Sequence, residues 1–354
     1  MPWGRNRMTP KVGIIANPIS ARDIRRVVAS ANSVQIADRA NIVLRTLAAL
    51  AAAGIEDVVM MPERGGIAGH VLRGMARAVN QGESRFPRLD FLDMKVAGTV
   101  EDTRCAARMM AAAGDVAAII VLGGDGTHRA VVSECGAVPI AGISTGTNNA
   151  FPEHREPTIT GLAAGLAAIG RVPPDIAFAA NKKIEVSLDG GTPEIALVDV
   201  AIVTDRCVGA RALWRTETFR ELFVTFADPE VIGMAAIAGL VEPVTRKEPG
   251  GLALTLAPAA PADLRVRAPI APGLVEMIGI DSWRRMPAGR VFSPALAAGS
   301  IALDGERELY FDPHQEVAIV LIDRAFRTVD VSAVMQFAAR NGLLVERPLA
   351  HVHP

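Results

Sequence analysis

Residues 117–131 read AAIIVLGGDGTHRAV, and this stretch decides which fold the sequence predicts. The apolar first half predicts a buried strand, which stops at a glycine-rich turn, residues 123–127. Glycine lets backbone N–H groups approach a phosphate, and a following helix N-terminus adds partial positive charge. A carboxylate at such a turn would repel phosphate unless it binds Mg²⁺ or takes a proton. Asp125 is therefore a candidate catalytic residue that orients or deprotonates a hydroxyl. The alternative is a helix cap in an ordinary strand-to-helix turn.

Strand and helix patterns alternate on both sides of this turn. Strands are predicted at residues 11–16, 58–61, 89–94, 115–122 and 138–143, and helices at residues 38–53, 100–113 and 127–134. Such alternation predicts a parallel sheet that is covered by helices on both faces. Ligands bind at the carboxyl ends of the strands in sheets of this kind, which is where the turn around Asp125 lies.

A second polar loop, ISTGTNN at residues 143–149, follows the next predicted strand. Neighbouring strands would place it beside the first loop, where its side chains offer donors and acceptors for phosphate, ribose or a base. The candidates are Ser144, Thr145, Gly146, Thr147, Asn148 and Asn149. The alternative is a polar surface loop. Residues 142–146 also match the GxSxG pattern of serine hydrolases, but Asn148, Asn149 and Pro152 follow where that pattern requires a helix.

The pattern changes after about residue 170, where polar and apolar residues alternate and favour antiparallel strands. We predict an N-terminal α/β domain at residues 11–155 and a mostly-β domain at 156–316 with a helical insert near 216–241. Residues 317–322 again predict a buried strand, and Asp330 can cap a final helix. The segment 317–345 is expected to return to the first domain.

Composition and charge exclude several classes of function. The 354 residues carry a net charge of -1 without a basic stripe, which argues against nucleic acid as a partner. No apolar run is long enough to span a membrane. The three cysteines lack a CxxC pair, so neither a disulfide framework nor a zinc site is indicated, and a cytoplasmic location is expected. The usual P-loop and the dinucleotide pattern GxGxxG after residue 122 are absent.

Three acidic residues of the second half are ambiguous. Asp199 lies within an apolar strand pattern, where a buried carboxylate requires a cation or hydrogen-bond donors. Asp304 and Glu306 flank a glycine, and a plain hairpin turn explains that pattern well.

With these motifs, the sequence resembles the superfamily of NAD kinases and diacylglycerol or sphingosine kinases, whose hallmark is GGDGT after a strand. More closely, it resembles the AcoX-type branch, which is encoded with acetoin catabolism genes. The branch-wide similarity covers nearly the whole chain. It includes VGIIANP at 12–18, GGDGT at 123–127, ISTGTNN at 143–149, ALVDVAIV at 196–203, VGARALW at 208–214 and ALDGERE at 302–308.

The resemblance implies a Rossmann-like N-terminal domain, a β-sandwich-like C-terminal domain and a nucleotide site in the cleft between them. It makes Asp125 the catalytic acid/base. It assigns nucleotide binding to Asn17, Gly123, Gly124, Gly126, Thr127, residues 145–149, Asp199, Asp304 and Glu306. Two motifs depart from typical NAD kinases: Val198-Asp199 replaces their Asn-Glu or Asn-Asp pair, and a TPTGSTAY-like segment is absent.

We therefore expect a kinase that uses Mg²⁺-ATP to phosphorylate a small hydroxylated metabolite, with NAD(H) as one candidate acceptor. The alternative is a non-catalytic regulatory protein that binds a nucleotide in the same cleft. A lipid kinase is disfavoured because no exposed amphipathic membrane segment is evident. A homo-oligomer is expected.

Overall fold

The computed structural model describes residues 9–18, 35–82, 86–145, 149–204, 216–260 and 262–346. Three predicted site residues, Gly146, Thr147 and Asn148, lie outside these ranges, as does the motif at 208–214. Within the described ranges, every helix falls short of the length and apolar character that a membrane crossing requires.

The first sheet begins with five parallel strands in the order β3-β2-β1-β4-β5. These strands are β1 (Lys11–Ala16), β2 (Asp57–Met60), β3 (Arg88–Phe91), β4 (Val116–Gly123) and β5 (Ile140–Ser144). The five predicted strands of the N-terminal half are confirmed with shifts of a few residues at their ends. Their apolar side chains are buried on both faces of the sheet, as expected for parallel strands.

Helices cover both faces of this sheet. They are α1 (Ile36–Ala52), α2 (Ile67–Gln81), α3 (Val100–Ala112), α4 (Asp125–Val132), α5 (Pro157–Ala168) and α6 (Pro174–Ala177). Thr99 and Asp102 form a capping box that fixes the start of α3. Small residues let α5 pack closely on α1, because a Cβ at Gly161 would lie only 2.8 Å from the Cβ of Ala49.

The last strand of the chain extends the same sheet. Strand β16 (Val317–Val329) pairs parallel to β5 and antiparallel to β6 (Phe178–Leu188), which in turn pairs with β7 (Glu194–Ala196). The short strand β13 (Val291–Phe292) also pairs with β16. Asp330 then caps the final helix α8 (Val331–Arg340) by accepting a hydrogen bond from the N–H of Ala333 at 3.0 Å.

The second sheet is antiparallel and has the order β11-β12-β10-β9-β8-β14-β15. Its strands are β8 (Asp199–Val203), β9 (Phe219–Val224), β10 (Gly251–Ala257), β11 (Leu264–Ala271), β12 (Leu274–Met286), β14 (Gly299–Leu303) and β15 (Glu306–Phe311). It packs on β6 and β16 through a shared core that includes Ile184, Phe223 and Leu321. The predicted combination of a parallel α/β domain and a β-rich, sandwich-like domain is confirmed.

Two details of the second half differ from the sequence prediction. The helical insert expected near 216–241 is wrong for its first part: a short 3₁₀ turn (Thr216–Thr218) leads into strand β9, and only Met234–Gly239 forms a helix, α7. The aromatic and β-branched side chains Phe219, Phe223 and Val224 are buried in the sheet, which favours a strand over a helix.

The strand pattern predicted at 194–203 is split between the two sheets. Residues up to Ala196 belong to the first sheet, and those from Asp199 belong to the second. Leu197 and Val198 form the crossing and are buried. The domain boundary at residues 155 and 156 stays a prediction, and strand pairing places residues 178–196 in the first sheet.

Candidate active site

The two polar loops lie side by side at the carboxyl end of the first sheet. Gly123, the last residue of β4, is paired with Ser144, the last residue of β5. The N–H of Thr145 also donates to the carbonyl of Gly123 at 3.4 Å. The structure thus brings the glycine-rich turn and the start of the second loop to one edge.

Asp125 is held by the segment that follows the second loop. It is the first residue of α4 and is partly exposed. Its Oδ1 accepts a hydrogen bond from the N–H of Phe151 at 2.9 Å, and its Oδ2 accepts one from the N–H of Ala150 at 3.0 Å. These two bonds, one to each carboxylate oxygen, fix the orientation of the carboxylate.

The three glycines around Asp125 meet different surroundings. A Cβ at Gly123 would lie 2.5 Å from the Cβ of Thr127, and one at Gly124 would lie 2.6 Å from the Oδ1 of Asn149. A Cβ at Gly126 would meet nothing within 4 Å among the residues that the structure describes. Packing against Thr127 therefore requires glycine at position 123, and a side chain at position 124 would displace the Asn149 amide, whereas Gly126 faces open space among the described residues at the N-terminus of α4.

Asn149 joins the second loop to its own strand. Its Nδ2 donates to the Oγ of Ser144 at 2.9 Å, so its Oδ1 is turned toward Gly124. Thr127 and Thr145 are both buried. Of the described residues of the second loop, Ser144 and Asn149 are the partly exposed ones that can contact a ligand.

Arg246 is a site residue that the sequence did not reveal. Its Nη1 donates to the carbonyl of Phe151 at 3.0 Å, and its Nη2 donates to the carbonyl of Ala150. The guanidinium lies over the ring of Phe226, 4.0 Å from the centroid. Burial lowers the pKa of Arg246, while Glu153, Asp125 and Asp228 oppose the fall. An arginine in a loop without a motif gives no sequence signal for this arrangement.

A cavity of about 480 Å³ opens beside Arg246. Its polar lining consists of Asn149, Glu153, His154, Asp228, Glu230 and Arg246. Residues 228–232 lie between β9 and α7 in the second half of the chain, so the cavity lies where the two halves meet.

Asn17 lies at a second cavity, of about 330 Å³, at the ends of β1 and β2. The Nδ2 of Asn17 donates to the Oγ1 of Thr103 at 2.9 Å, and its carbonyl accepts from Arg39 at 2.8 Å. The cavity is lined by the apolar Ile36, Met61 and Val96 and by the carboxylates of Glu63 and Asp102. Glu63 Oε2 is buried and has no hydrogen-bond partner among the described residues, so it can accept from a ligand.

Asp304 lies in the interior, where it organises the crossing between the sheets. Its Oδ1 accepts from the N–H groups of Val198 at 2.8 Å and Leu197 at 3.0 Å, and more weakly from that of Asp199 at 3.4 Å. Burial raises the pKa of Asp304, while Arg129 and these N–H groups oppose the rise. Asp199 is also buried, and its carbonyl accepts from the N–H of Asp304 at 2.9 Å.

The predicted roles of Asp199, Asp304 and Glu306 in nucleotide binding stay predictions. The contacts of the Asp304 carboxylate are with backbone N–H groups of the crossing and with Arg129. Glu306 begins β15 and is partly buried.

His128 follows the glycine-rich turn but does not face the cleft. It is fully buried, and its Nδ1 lies 2.9 Å from the carbonyl of Gly124, to which it donates. Burial lowers its pKa to about 4, while the bond to Gly124 opposes the fall. The neutral ring packs beside Phe151 and β5, so His128 supports the loops rather than acting as a base.

The residues present fit a nucleotide better than a metal held by protein alone. No group of three or more His, Cys, Asp or Glu side chains in the described part of the chain is arranged to hold a metal ion. The open face of Gly126 and the N-terminus of α4 suit a phosphate group. Mg²⁺ commonly takes one or two carboxylates together with substrate phosphates, and Asp125 is a carboxylate at that place.

Comparison with known proteins finds two family models that match successive parts of the chain. Residues 12–172 match the model of the ATP-NAD kinase N-terminal domain. Residues 182–324 match the model of the acetoin catabolism protein X C-terminal domain. Acetoin catabolism protein X from Cupriavidus necator is 56% identical over 347 residues, which cover 97% of this chain and 96% of that protein.

Solved structures with a similar backbone are more distant. The yeast NADH kinase, solved with NADH, is 12% identical, covers 98% of this chain and 91% of its own, and gives a TM-score of 0.48. A diacylglycerol kinase from Bacillus anthracis is 15% identical, covers 91% of this chain and 96% of its own, and gives a TM-score of 0.42.

Proposed function

Because the chain belongs to the acetoin catabolism protein X family and carries the ATP-NAD kinase N-terminal domain, we propose that it is an ATP-dependent kinase of a small hydroxylated metabolite. The observation that carries the proposal is the fixed carboxylate of Asp125. Two backbone N–H groups orient it at the N-terminus of α4, beside the open face of Gly126 and next to the cleft.

Asp125 accepts the proton of the acceptor hydroxyl or orients that hydroxyl for in-line attack on the γ-phosphoryl group. The first turn of α4 supplies N–H groups and partial positive charge for the phosphates of ATP. Mg²⁺ neutralises phosphate charge when it is bound. Positioning and charge stabilisation provide most of the rate enhancement in phosphoryl transfer, so a rigid Asp125 suits this chemistry.

The two cavities suit the two substrates. The cavity at Asn17 has apolar walls and the acceptor oxygen of Glu63, which fits a purine base with an exocyclic amine. The cavity at Arg246 is polar and lies beside the backbone that orients Asp125, so we assign the acceptor to it. NAD(H) is one candidate acceptor, and another hydroxylated metabolite is the second.

A non-catalytic, nucleotide-binding regulator is the competing function. Its support is that both oxygens of Asp125 accept internal hydrogen bonds, which a purely structural cap would also do. It predicts nucleotide binding without phosphoryl transfer to any acceptor.

Calorimetry and turnover measurements on one set of proteins separate the two functions. We expect Mg²⁺-ATP to bind wild type, and a panel of hydroxylated acceptors including NAD and NADH to reveal phosphoryl transfer. Asp125→Asn should lower kcat by roughly 10²-fold or more, as loss of a general acid/base typically does. Asp263→Asn, at an exposed position, is the matched control. Binding without turnover on any acceptor would favour the regulator.

We also propose a cytoplasmic location and a homo-oligomeric state. Cys105 and Cys135 are free thiols, as a reducing compartment favours. Analytical ultracentrifugation would measure the oligomeric state.

A further inference from the structure

Lys182 is a buried cation in the middle of β6, with 6% of its surface exposed. Its Nζ donates to three carbonyls: that of Gly250 at 2.7 Å, that of Glu248 at 2.8 Å and that of Thr245 at 3.1 Å. An ammonium group has three N–H donors, so all of them are used. All three acceptors belong to residues 245–250, which we call the Arg246 loop.

The Arg246 loop has no helix or strand of its own to hold it. Other contacts also hold it, besides those that Arg246 itself makes. Glu248 and Thr245 exchange side-chain to backbone hydrogen bonds with each other, Lys247 pairs with Asp330 at 3.3 Å, and the N–H of Gly250 donates to Asp323. Lys182 contributes three hydrogen bonds to this loop from one buried ammonium group, and they reach the backbone on both sides of Arg246.

Arg246 in turn reaches the segment that orients the carboxylate of Asp125. It donates to the carbonyls of Ala150 and Phe151, and the N–H groups of the same two residues donate to Asp125. The contacts thus run without a gap from the Lys182 ammonium, through the Arg246 loop and a short backbone segment, to Asp125.

We propose that Lys182 is a positioning residue for Asp125, which acts by holding the Arg246 loop in the conformation that binds the backbone of Ala150 and Phe151. The contact path rests on the structure alone, and only its effect on catalysis rests on the proposed kinase function. A lysine that merely filled the interior would stabilise the fold without a specific effect on those two residues.

Amide hydrogen exchange tests the path without any need for activity. Peptides that overlap at residues 149–152 report the N–H groups that donate to Asp125. We expect Lys182→Met to lower their protection roughly tenfold or more relative to peptides from β1 and β4, since loss of an anchor opens local structure. Lys183→Met is the matched control, because the neighbouring side chain pairs with Glu185 at 2.8 Å on the same strand. Unchanged protection in a folded Lys182→Met protein would overturn the proposal.

A second measurement, on the unaltered protein, tests the same proposal even if the Lys182→Met variant does not fold. Burial lowers the pKa of Lys182 to about 8, against the opposing charges of Asp323 and Glu248, with Arg285 and Arg246 adding to the fall. Above that pH the amine retains two donors for three carbonyls. Protection at residues 150 and 151, corrected for the intrinsic exchange rate, should therefore fall severalfold between about pH 7 and about pH 9.5 relative to β1. A constant ratio there would also overturn the proposal.

Kinetics then separate the two proposals. If the protein is a kinase, Lys182→Met should lower kcat roughly tenfold with little change in the KM for ATP, because misplacement of a catalytic group affects the chemical step. If no acceptor is phosphorylated but exchange at residues 150 and 151 responds as expected, the proposed function fails and the positioning role of Lys182 stands.

Discussion

Partly buried Arg129 forms an ion pair with buried Asp304, with the Nη1 of Arg129 3.9 Å from the Oδ2 of Asp304. Arg129 lies one turn after Asp125 on α4, and the same nitrogen donates to the carbonyl of Leu303 at 2.8 Å. The helix that begins at the candidate catalytic residue is thereby tied to the turn between β14 and β15 of the second sheet. This contact fixes the position of α4 relative to the second sheet.

Asp304→Asn should destabilise the protein by about 3 kcal/mol, because it removes the charge that faces Arg129 and places an amide against backbone N–H donors. Asparagine accepts the positive φ of 50° at this position, so the turn itself is not the cause of the loss. Urea denaturation measures the free energy of unfolding.

The exposed pair between Arg285 and Glu242, 2.6 Å apart, provides the control. Glu242→Gln should cost less than about 1 kcal/mol, as surface ion pairs do. Equal losses in the two variants would show that burial of Asp304 does not determine its contribution.

Gly126→Ala tests whether the open face of the glycine-rich turn receives a phosphate, and Gly123→Ala is compared with it. Gly126 lacks a positive φ and has free space around it, so Gly126→Ala should keep stability or raise it by up to about 1 kcal/mol. Its methyl group occupies the proposed phosphate position, and ATP affinity should fall by about 1–3 kcal/mol, which is roughly 5- to 150-fold.

Gly123→Ala should instead lower stability by about 1–3 kcal/mol, because its Cβ meets Thr127. Thermal unfolding and calorimetric titration with Mg²⁺-ATP supply the two readouts. Undiminished ATP affinity in Gly126→Ala would place the phosphates elsewhere.

The N-terminal half of the fold could be predicted from the sequence because its strands are continuous apolar runs that end at glycine-rich or polar turns. Gly123 and Ser144 end adjacent strands, so strand order alone predicts that the two loops lie side by side. The second half was harder, since Phe219 and Phe223 fit a helix or a strand until a partner strand is known. The chain also passes from one sheet to the other at Leu197 and Val198, where the sequence has no turn residue from which this crossing could be predicted.

Residues that act through backbone groups could not be found from the sequence. Arg246 and Lys182 lie far along the chain from Asp125, and each binds carbonyl groups, which every residue has. Asp304 was recognised as a turn residue, but its contacts with the N–H groups of Leu197 and Val198 depend on how the two sheets pack.

Buried His128 should make stability depend on pH. Its pKa falls from the ordinary 6.5 to about 4 on folding, so the unfolded chain takes up a proton first as the pH falls. The stability that neutral His128 contributes is complete above about pH 6.5 and is lost progressively as the pH falls toward about 4. The loss between about pH 7.5 and about pH 5 should reach about 2 kcal/mol.

The measurement is the free energy of unfolding at the two pH values for wild type and for His128→Gln. The variant lacks the titrating ring, so the difference between its two values should be smaller than that of wild type by this amount. Identical differences for the two proteins would mean that His128 is not held neutral by burial.

Arg246→Met should lower kcat by roughly tenfold to 10²-fold while ATP affinity changes little, because the arginine orients Asp125 through Ala150 and Phe151 rather than touching the nucleotide. The substitution removes two charge-assisted hydrogen bonds to carbonyls and a cation–π contact with Phe226, so stability should also fall by about 2–3 kcal/mol.

Arg290→Met provides the control, since Arg290 also lies over a phenylalanine ring, Phe292 at 5.5 Å, but is exposed. Calorimetry with Mg²⁺-ATP measures the ATP affinity, and turnover on the best acceptor measures kcat. A loss of ATP affinity equal to the loss of kcat would instead place Arg246 against the nucleotide itself.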